Sequence, residues 1–320
     1  MGKLFGTDGV RGIANKDLTY ELAAKIGQAG AYVLSKETNH VPNIIIGTDT
    51  RKSANLLESA LCAGIMSMGG NAVCVGVIPT PAVAYLTRTL GFDAGIVVSA
   101  SHNSAEFNGI KFFNSNGYKL RDDIEKEIED IVIDDEPVGE RPIGEKVGSM
   151  IRNESLTERY IAYARSTIET DLTGMKIALD CANGASSKTA PVTFKSLGAD
   201  VLVINNTPDG ININRACGST HMEELCAYVK ENGCDIGFAF DGDADRVLAV
   251  NSEGEVVDGD TIMAICAVSM KKSGKLRNNT LVATIMSNLG LFKMGENEGI
   301  SIPRTKVGDR YVLEEMVDSG

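Results

Sequence analysis

One coarse pattern occurs three times along this chain, and it leaves few folds open. An apolar run ends in a small or polar turn, and an amphipathic stretch of helical period follows. Asn43-Ile44-Ile45-Ile46-Gly47 leads into Thr48-Asp49-Thr50-Arg51 and a helix expected over 53–68, with Gly69-Gly70 as its stop. Lys176-Ile177-Ala178-Leu179-Asp180 leads into Cys181-Ala182-Asn183-Gly184-Ala185 and a helix over 187–197. Thr280-Leu281-Val282-Ala283-Thr284 leads into Ile285-Met286-Ser287-Asn288 and a helix reaching about 297. Each unit then repeats a strand (72–75, 201–204, 300–302), a loop and a helix, and the first two close on a further strand ending at Ser101 and at Asp241. The third stops in a helix beginning near Tyr311, so by analogy a last strand and loop are expected beyond Gly320. Strands alternating with helices predict tandem α/β domains whose mixed, mostly parallel sheets are sandwiched by helices. The stretch 122–135 reads as a charged helix or solvated face, and Glu136-Pro137-Val138-Gly139-Glu140-Arg141-Pro142 as a connector. The expected domains are 1–151, 152–252 and 253–320.

Charge and cysteine usage exclude several function classes. The 31 basic and 43 acidic residues give a net charge of −12, which removes the basic footprint that nucleic acids and anionic membranes need. The start of the chain enters turn-rich sequence at once, unlike a signal peptide, and apolar runs such as 262–270 are too short to span a bilayer. Seven scattered cysteines without CxxC spacing suit a reducing cytoplasm and argue against a zinc site or disulfide framework. An anionic substrate must then be held by local Arg, Lys and backbone N–H groups.

Two strand ends carry the chemistry. The first, Ala94-Gly95-Ile96-Val97-Val98, delivers Ser99-Ala100-Ser101-His102-Asn103 to the carboxyl edge of a sheet, where open α/β folds bind ligands. Serine is a weak nucleophile and needs a base, a metal or prior phosphorylation. His102 and Asn103 add hydrogen-bonding groups, Gly109 permits close backbone approach, and Lys111 supplies a cation nearby. The bland reading of a serine here is a turn or cap. At the second end, Asp241, Asp243 and Asp245 follow Ile236-Gly237-Phe238-Ala239-Phe240 at spacing i, i+2, i+4, so extended backbone points all three carboxylates one way, with Gly242 to turn the chain. Hard oxygen ligands suit Mg²⁺. Without a cation or an arginine such as Arg246 they repel one another. The rival readings are a polar strand-end loop and an EF-hand; the latter fails because its sixth and twelfth positions are Arg246 and Ser252. Arg11, in the Gly-rich run Phe5-Gly6-Thr7-Asp8-Gly9-Val10-Arg11-Gly12, is placed to approach a phosphate. Asp49 and Arg51 read as a structural pair, and His40 and His221 as surface or cap residues. Neither a Gly-x-Ser-x-Gly elbow nor a Walker loop is present.

These strings together resemble the α-D-phosphohexomutase superfamily over the whole length. The opening Gly2-Lys3-Leu4-Phe5-Gly6-Thr7-Asp8-Gly9-Val10-Arg11-Gly12 and Thr305-Lys306-Val307-Gly308-Asp309-Arg310-Tyr311 look like its bacterial phosphoglucosamine mutase branch. The resemblance implies a cytoplasmic isomerase that is phosphorylated on Ser101. One Mg²⁺ per active site would be held by Ser101, Asp241, Asp243 and Asp245. It implies catalytic roles for Ser101, Lys111, Arg11 and His102, and substrate contacts from Arg246, Asp309, Arg310 and Asn103. Glucosamine 6-phosphate would become glucosamine 1-phosphate through a hexosamine 1,6-bisphosphate intermediate, which also serves as activator. The product would feed UDP-N-acetylglucosamine and peptidoglycan synthesis. No nucleic-acid or membrane partner is implied, and relatives imply a homodimer through the first domain. The family has four domains, with a Gly-Glu-x-Ser-Gly type sugar loop and a phosphate-gripping fourth domain that lie outside these residues, so a chain of this extent is expected to be weak or inactive alone. The alternatives are a relative acting on mannose or glucose phosphates, and a catalytically silent metal-binding module of the same fold.

Overall fold

A computed structural model describes residues 4–6, 9–38, 40–134 and 138–320. Gly2, Lys3, Thr7 and Asp8 of the opening string, and Asp135, Glu136 and Pro137 at the start of the connector, lie outside the described residues.

The first unit contains β1 (Val10–Ile13), α1 (Tyr20–Glu37), β2 (Asn43–Thr48), α2 (Ala54–Ser67), β3 (Asn71–Val77), α3 (Thr80–Leu90), β4 (Ala94–Val98), β5 (Phe107–Asn114), α4 (Asp122–Asp134) and β6 (Met150–Arg152). Its sheet runs β1-β5-β4-β2-β3-β6. The pairs β4–β2, β2–β3 and β3–β6 are parallel, while β5 lies antiparallel to both β4 and β1. Alternation along the strands divides the core. Ile44, Ile46, Ile96 and Val98 pack with α1, α2 and α4 on one face; Ile45, Val97 and Val75 pack with α3 on the other. Burying such a side chain contributes about 1.5–3 kcal/mol before entropy is counted. The charged stretch after Leu120 is a helix with one apolar stripe: Ile124, Ile128 and Val132, four residues apart, are buried.

The second unit contains α5 (Leu156–Ser166), β7 (Lys176–Asp180), α6 (Ser186–Ser196), β8 (Asp200–Ile204), α7 (Glu223–Glu231), β9 (Ile236–Phe240), β10 (Val247–Asn251) and β11 (Val256–Val257). Its sheet runs β11-β10-β9-β7-β8, parallel across β9, β7 and β8 and antiparallel at β10 and β11, so it extends to Val257. Ala178 and Ala239 face α7, while Ile177 and Leu179 face α6.

The third unit contains α8 (Gly259–Lys272), β12 (Ala283–Thr284), α9 (Leu289–Glu298), β13 (Arg304–Thr305) and α10 (Asp309–Asp318). The strands expected over 280–284 and 300–302 are realised as a parallel bridge, Thr280 to Ser301, and the two-residue pair β12–β13. Proline explains the break. Leu281, Ala283 and Ile285 donate to the carbonyls of Ser301, Pro303 and Thr305 at 2.9, 3.1 and 3.0 Å, but Pro303 has no N–H to return. The architecture is thus tandem α/β units with mixed sheets between helices. No helix among the described residues is long and apolar enough to cross a membrane.

Candidate active site

The site forms where β4 of the first unit and β9 of the second end face to face. Beyond Val98 the chain turns at Ser101, which is fully buried and holds a left-handed φ of 52°. A side chain in that region is strained and needs outside support. The Ser101 N–H donates to Ser99 Oγ at 3.0 Å, and Ser99 Oγ donates to Asp49 Oδ2 at 2.6 Å. Arg51, buried with Asp49, donates from Nε to Asp49 Oδ2 at 2.8 Å and from Nη2 to the carbonyls of Ser101 and Asn103 at 3.1 and 2.7 Å. Its Nη1 donates to the Ser104 carbonyl. The Asp49–Arg51 pair is therefore structural, and what it structures is the Ser101 turn. Burial pushes the Asp49 carboxyl up from its usual range, opposed by the Arg51 charge and the Ser99 hydroxyl.

Beyond Phe240, Asp241 and Asp243 are buried and Asp245 lies at the surface; one carboxylate oxygen of each falls within 4.8 Å of the others. Ser101 Oγ donates to Asp241 Oδ2 at 2.7 Å, joining the serine hydroxyl and the carboxylates across 140 residues of sequence. Lys111, on β5 opposite Val97, places its buried ammonium 2.9 Å from Asp243 Oδ2 and 3.5 Å from Asp245 Oδ2. Thr80 at the start of α3 donates its hydroxyl to Asp243 Oδ2 at 2.7 Å and its N–H to the Asp243 carbonyl at 2.9 Å. Burial, reinforced by Asp243 and Asp245, pushes Asp241 up to about 7. A divalent cation would reverse that balance.

Gly242 lies in the turn expected of it, closed by the Ala244 N–H donating to the Asp241 carbonyl at 3.0 Å, but the left-handed residue is Ala244, at φ 55°. Gly242 also permits contact between units, since a Cβ there would lie 2.5 Å from the Ser101 carbonyl oxygen. Gly109 has the same function within the first sheet: a Cβ would lie 2.6 Å from the Ser99 carbonyl oxygen.

The other expected residues divide into two groups. Arg11 pairs with Gly109 across β1 and β5, and its charge acts with that of Arg246 on His102. Arg246 Nη1 lies 3.1 Å from His102 Nδ1; because a guanidinium only donates, Nδ1 accepts. Burial first, then the two arginines, holds the imidazole below its usual value and neutral. Ser101 Oγ is 3.4 Å from the same nitrogen. Asn103 enters through its carbonyl. Asp309 and Arg310 engage a different face: Lys119 Nζ lies 2.8 Å from Asp309 Oδ1, and Arg310 meets Asp122, Glu125 and Glu314. Asp309 and Arg310 border a cavity of about 700 Å³ that Phe5, Gly6 and α4 complete. The sequence reading missed Thr80 and Asn214, whose Nδ2 donates to the Ser101 carbonyl at 2.8 Å. Thr80 had a signal, as a hydroxyl between Pro79 and Pro81 at a helix start; Asn214, in an irregular loop, had none.

Family models described as phosphoglucomutase/phosphomannomutase, alpha/beta/alpha domains I, II and III match residues 2–138, 158–254 and 258–320. The chain belongs to the phosphoglucomutase/phosphomannomutase family. The phosphoglucosamine mutase of Acetivibrio thermocellus is 61% identical over 320 residues, covering 100% of this chain and 71% of that protein. The phosphoglucosamine mutase of Clostridium novyi is 59% identical over the same span, again covering 71% of its length. Among solved structures, a phosphoglucomutase/phosphomannomutase family protein from Burkholderia thailandensis superposes at TM-score 0.84 with 24% identity, over 100% of this chain and 70% of that one. An Aspergillus fumigatus N-acetylphosphoglucosamine mutase, solved with GlcNAc-6P and magnesium, superposes at 0.62 with 15% identity over 98% of this chain and 64% of that one. At these identities the structural likeness carries the fold, while the two mutase relatives carry the activity class: this phosphohexomutase is an isomerase.

Proposed function

We infer that this site serves the interconversion of glucosamine 6-phosphate and glucosamine 1-phosphate through a phosphoserine at Ser101. The observation that carries this reading is the 2.7 Å bond from Ser101 Oγ to Asp241 within a three-carboxylate cluster. Three hard oxygen donors converging from one loop fit Mg²⁺, with Asp241, Asp243 and Asp245 as its protein ligands beside Ser101. When bound, Mg²⁺ supplies neutralisation of the carboxylates and polarisation of phosphoryl oxygens.

The remaining steps belong to the chain's own groups. A phosphoserine carries about −1.5 to −2 charges at neutral pH. Lys111, pinned between Asp243 and Asp245, places a fixed positive charge beside that group and assists proton transfer. As the sugar hydroxyl attacks phosphorus, its O–P bond forms and the Ser101 Oγ–P bond breaks; the hydroxyl proton passes to Ser101 Oγ. The second half-reaction reverses this with the other phosphate of the 1,6-bisphosphate, so atoms balance and Ser101 ends rephosphorylated. Such transfers depend chiefly on positioning and electrostatics, which is what the Ser101 turn and the carboxylate loop supply. Arg11 and Arg246 offer guanidinium charge to phosphate, Asn103 backs the turn, and neutral His102 orients Arg246. Asp309 and Arg310 are assigned to the sugar side. A cytoplasmic setting and a homodimer through the first unit complete the reading.

The test is ³¹P NMR of the protein with Mg²⁺, glucosamine 6-phosphate and a trace of hexose 1,6-bisphosphate, alongside intact-mass measurement of Ser101 phosphate. Mass gain of one phosphoryl group that is lost in Ser101→Ala supports the phosphoserine. A 1-phosphate signal that persists in Ser101→Ala refutes it.

A further inference from the structure

The nucleophile's conformation is held from both sides of the boundary between the first two units. Ser101 sits at φ 52°, in the left-handed region that a serine holds only with outside support. Its carbonyl has two lone pairs, and both are used. Arg51 Nη2 donates from the first unit at 3.1 Å, and Asn214 Nδ2 donates from the second at 2.8 Å. The same Asn214 nitrogen reaches the Asn103 carbonyl at 3.0 Å, so one amide spans the turn.

Asn214 is itself anchored in the second unit. It is nearly buried, takes a left-handed φ of 57° that asparagine tolerates well, and donates its N–H to the Ala182 carbonyl at 3.0 Å. Gly242, next to Asp241, packs onto both partners: a Cβ there would lie 2.5 Å from the Ser101 oxygen and 2.7 Å from Asn214 Nδ2. The amide therefore fixes the register between the Ser101 turn and the carboxylate loop at the point where Oγ meets Asp241.

We propose that Asn214 is a positioning residue for phosphoryl transfer: its side-chain amide, donated across the boundary between the units, holds the Ser101 peptide in the left-handed geometry that aims Oγ at the carboxylate cluster. Asn214 touches neither the reacting oxygen nor the cluster's carboxylates; it acts through the Ser101 carbonyl. The proposal rests on the phosphoserine reading given above.

Two variants test it, each leaving the left-handed backbone accessible. Asn214→Gly removes the amide at a position where glycine is unstrained. Asn214→Asp keeps the shape but turns an acceptor toward two carbonyl oxygens. Each is mixed with glucose 1,6-bisphosphate and Mg²⁺, and phosphoserine formation is followed by rapid quench and intact mass, with Ser101→Ala as blank. The expected result is a maximal labelling rate at least tenfold below wild type in both, with half-saturating bisphosphate and Mg²⁺ affinity within twofold. Either variant labelling at the wild-type rate overturns the proposal. So does a rate that falls only in step with weakened Mg²⁺ or bisphosphate binding, or loss of folding in both, since Asn214 would then be a scaffold residue. Absence of label in wild type would refute the phosphoserine reading itself, a distinct outcome visible before the variants are compared.

Discussion

Replacing Arg51 by methionine keeps most of the side chain's volume and removes its charge. In the native protein Asp49 and Arg51 are both shielded completely from solvent, and Arg51 also donates to the carbonyls of Ser101, Asn103 and Ser104. The variant leaves Asp49 buried with only the backbone N–H of residue 51, at 2.9 Å in the native protein, and the Ser99 hydroxyl as donors. Removing one member of a buried ion pair costs about 3–5 kcal/mol because the other charge stays behind. For a unit of this size each kcal/mol is worth about 2–4 °C, so its melting transition should fall by roughly 6–20 °C. The pH dependence has a definite sign. Burial already raises the folded pKa of Asp49 above its ordinary 3.8, and loss of the Arg51 charge raises it further. A raised folded pKa means that the favourable state is present below the unfolded value and is lost as pH climbs through the folded one. The gap between wild type and variant should therefore be widest at alkaline pH, by about 1.4 kcal/mol for each further tenfold weakening of the Asp49 acid, and should narrow on acidification toward the cost of the lost hydrogen bonds. Urea unfolding of both proteins at pH 8 and pH 5, followed through the first unit's transition, measures it. A loss below about 1 kcal/mol at pH 8, well short of the cost of orphaning a buried charge, or a gap that widens in acid, would refute the electrostatic account.

Three further outcomes follow from the same geometry. Mg²⁺ at a hundred times its dissociation constant should stabilise the wild type by about 2.7 kcal/mol, and chelation should reverse this; the shift should vanish in Asp241→Asn, as thermal melts with and without EDTA would reveal. Gly109→Ala forces a Cβ to 2.6 Å from the Ser99 carbonyl oxygen and should cost about 1–3 kcal/mol, read as a lower urea midpoint; an unchanged midpoint contradicts the close packing. A thiol reagent should modify exposed Cys266 quickly and half-buried Cys226 more slowly, and should reach the five buried cysteines only after denaturation; rapid native labelling of Cys62 or Cys74 contradicts the burial.

What the sequence disclosed and what it hid have a common cause, the range over which the relevant groups interact. The apolar runs at Ile44–Ile46 and Ile177–Leu179 declare buried strands because each strand carries its own signal. Asp241, Asp243 and Asp245 mark a candidate cation site because their repulsion is local. Asn214 and Thr80 reach their partners across 113 and 163 residues, and nothing near either residue marks those partners. Strand β5 buries polar groups for a related reason. Asn108 and Lys111 interrupt its apolar residues, and the cost of burying them is offset only where Asn108 Nδ2 finds Ser53 Oγ and Lys111 finds Asp243. In the third unit the strand positions shifted because Pro303 removes one N–H from an otherwise regular ladder, an effect that apolar periodicity does not register.

The backbone strain in this protein has a distribution that bears on how the site works. Asparagine accepts the left-handed region readily, but Ser101, Ala182, Ala216 and Ala244 also occupy it, at φ of 51–55°. Ser101, Ala182 and Ala244 lie on loops that follow strands β4, β7 and β9, where the first and second units meet. Ala182 precedes Asn183, whose carbonyl accepts from Thr50 Oγ1 at 2.6 Å; Ala244 follows Asp243, which Thr80 and Lys111 hold. Strain of this kind costs on the order of 1–3 kcal/mol per residue and persists only where surrounding contacts over-determine it. Several of the contacts that do so here cross between units: Thr50 to Asn183, the Lys52 N–H to the Gly210 carbonyl at 2.8 Å, Thr80 to Asp243, and Asn214 to Ser101; Ser99 and Arg51 support the Ser101 turn from within the first unit. Each half of the site is therefore held in its shape partly by the other unit. The Ser101 loop takes support from the unit that carries the carboxylates, the carboxylate loop from the unit that carries Ser101, and a shift between the units disturbs both at once.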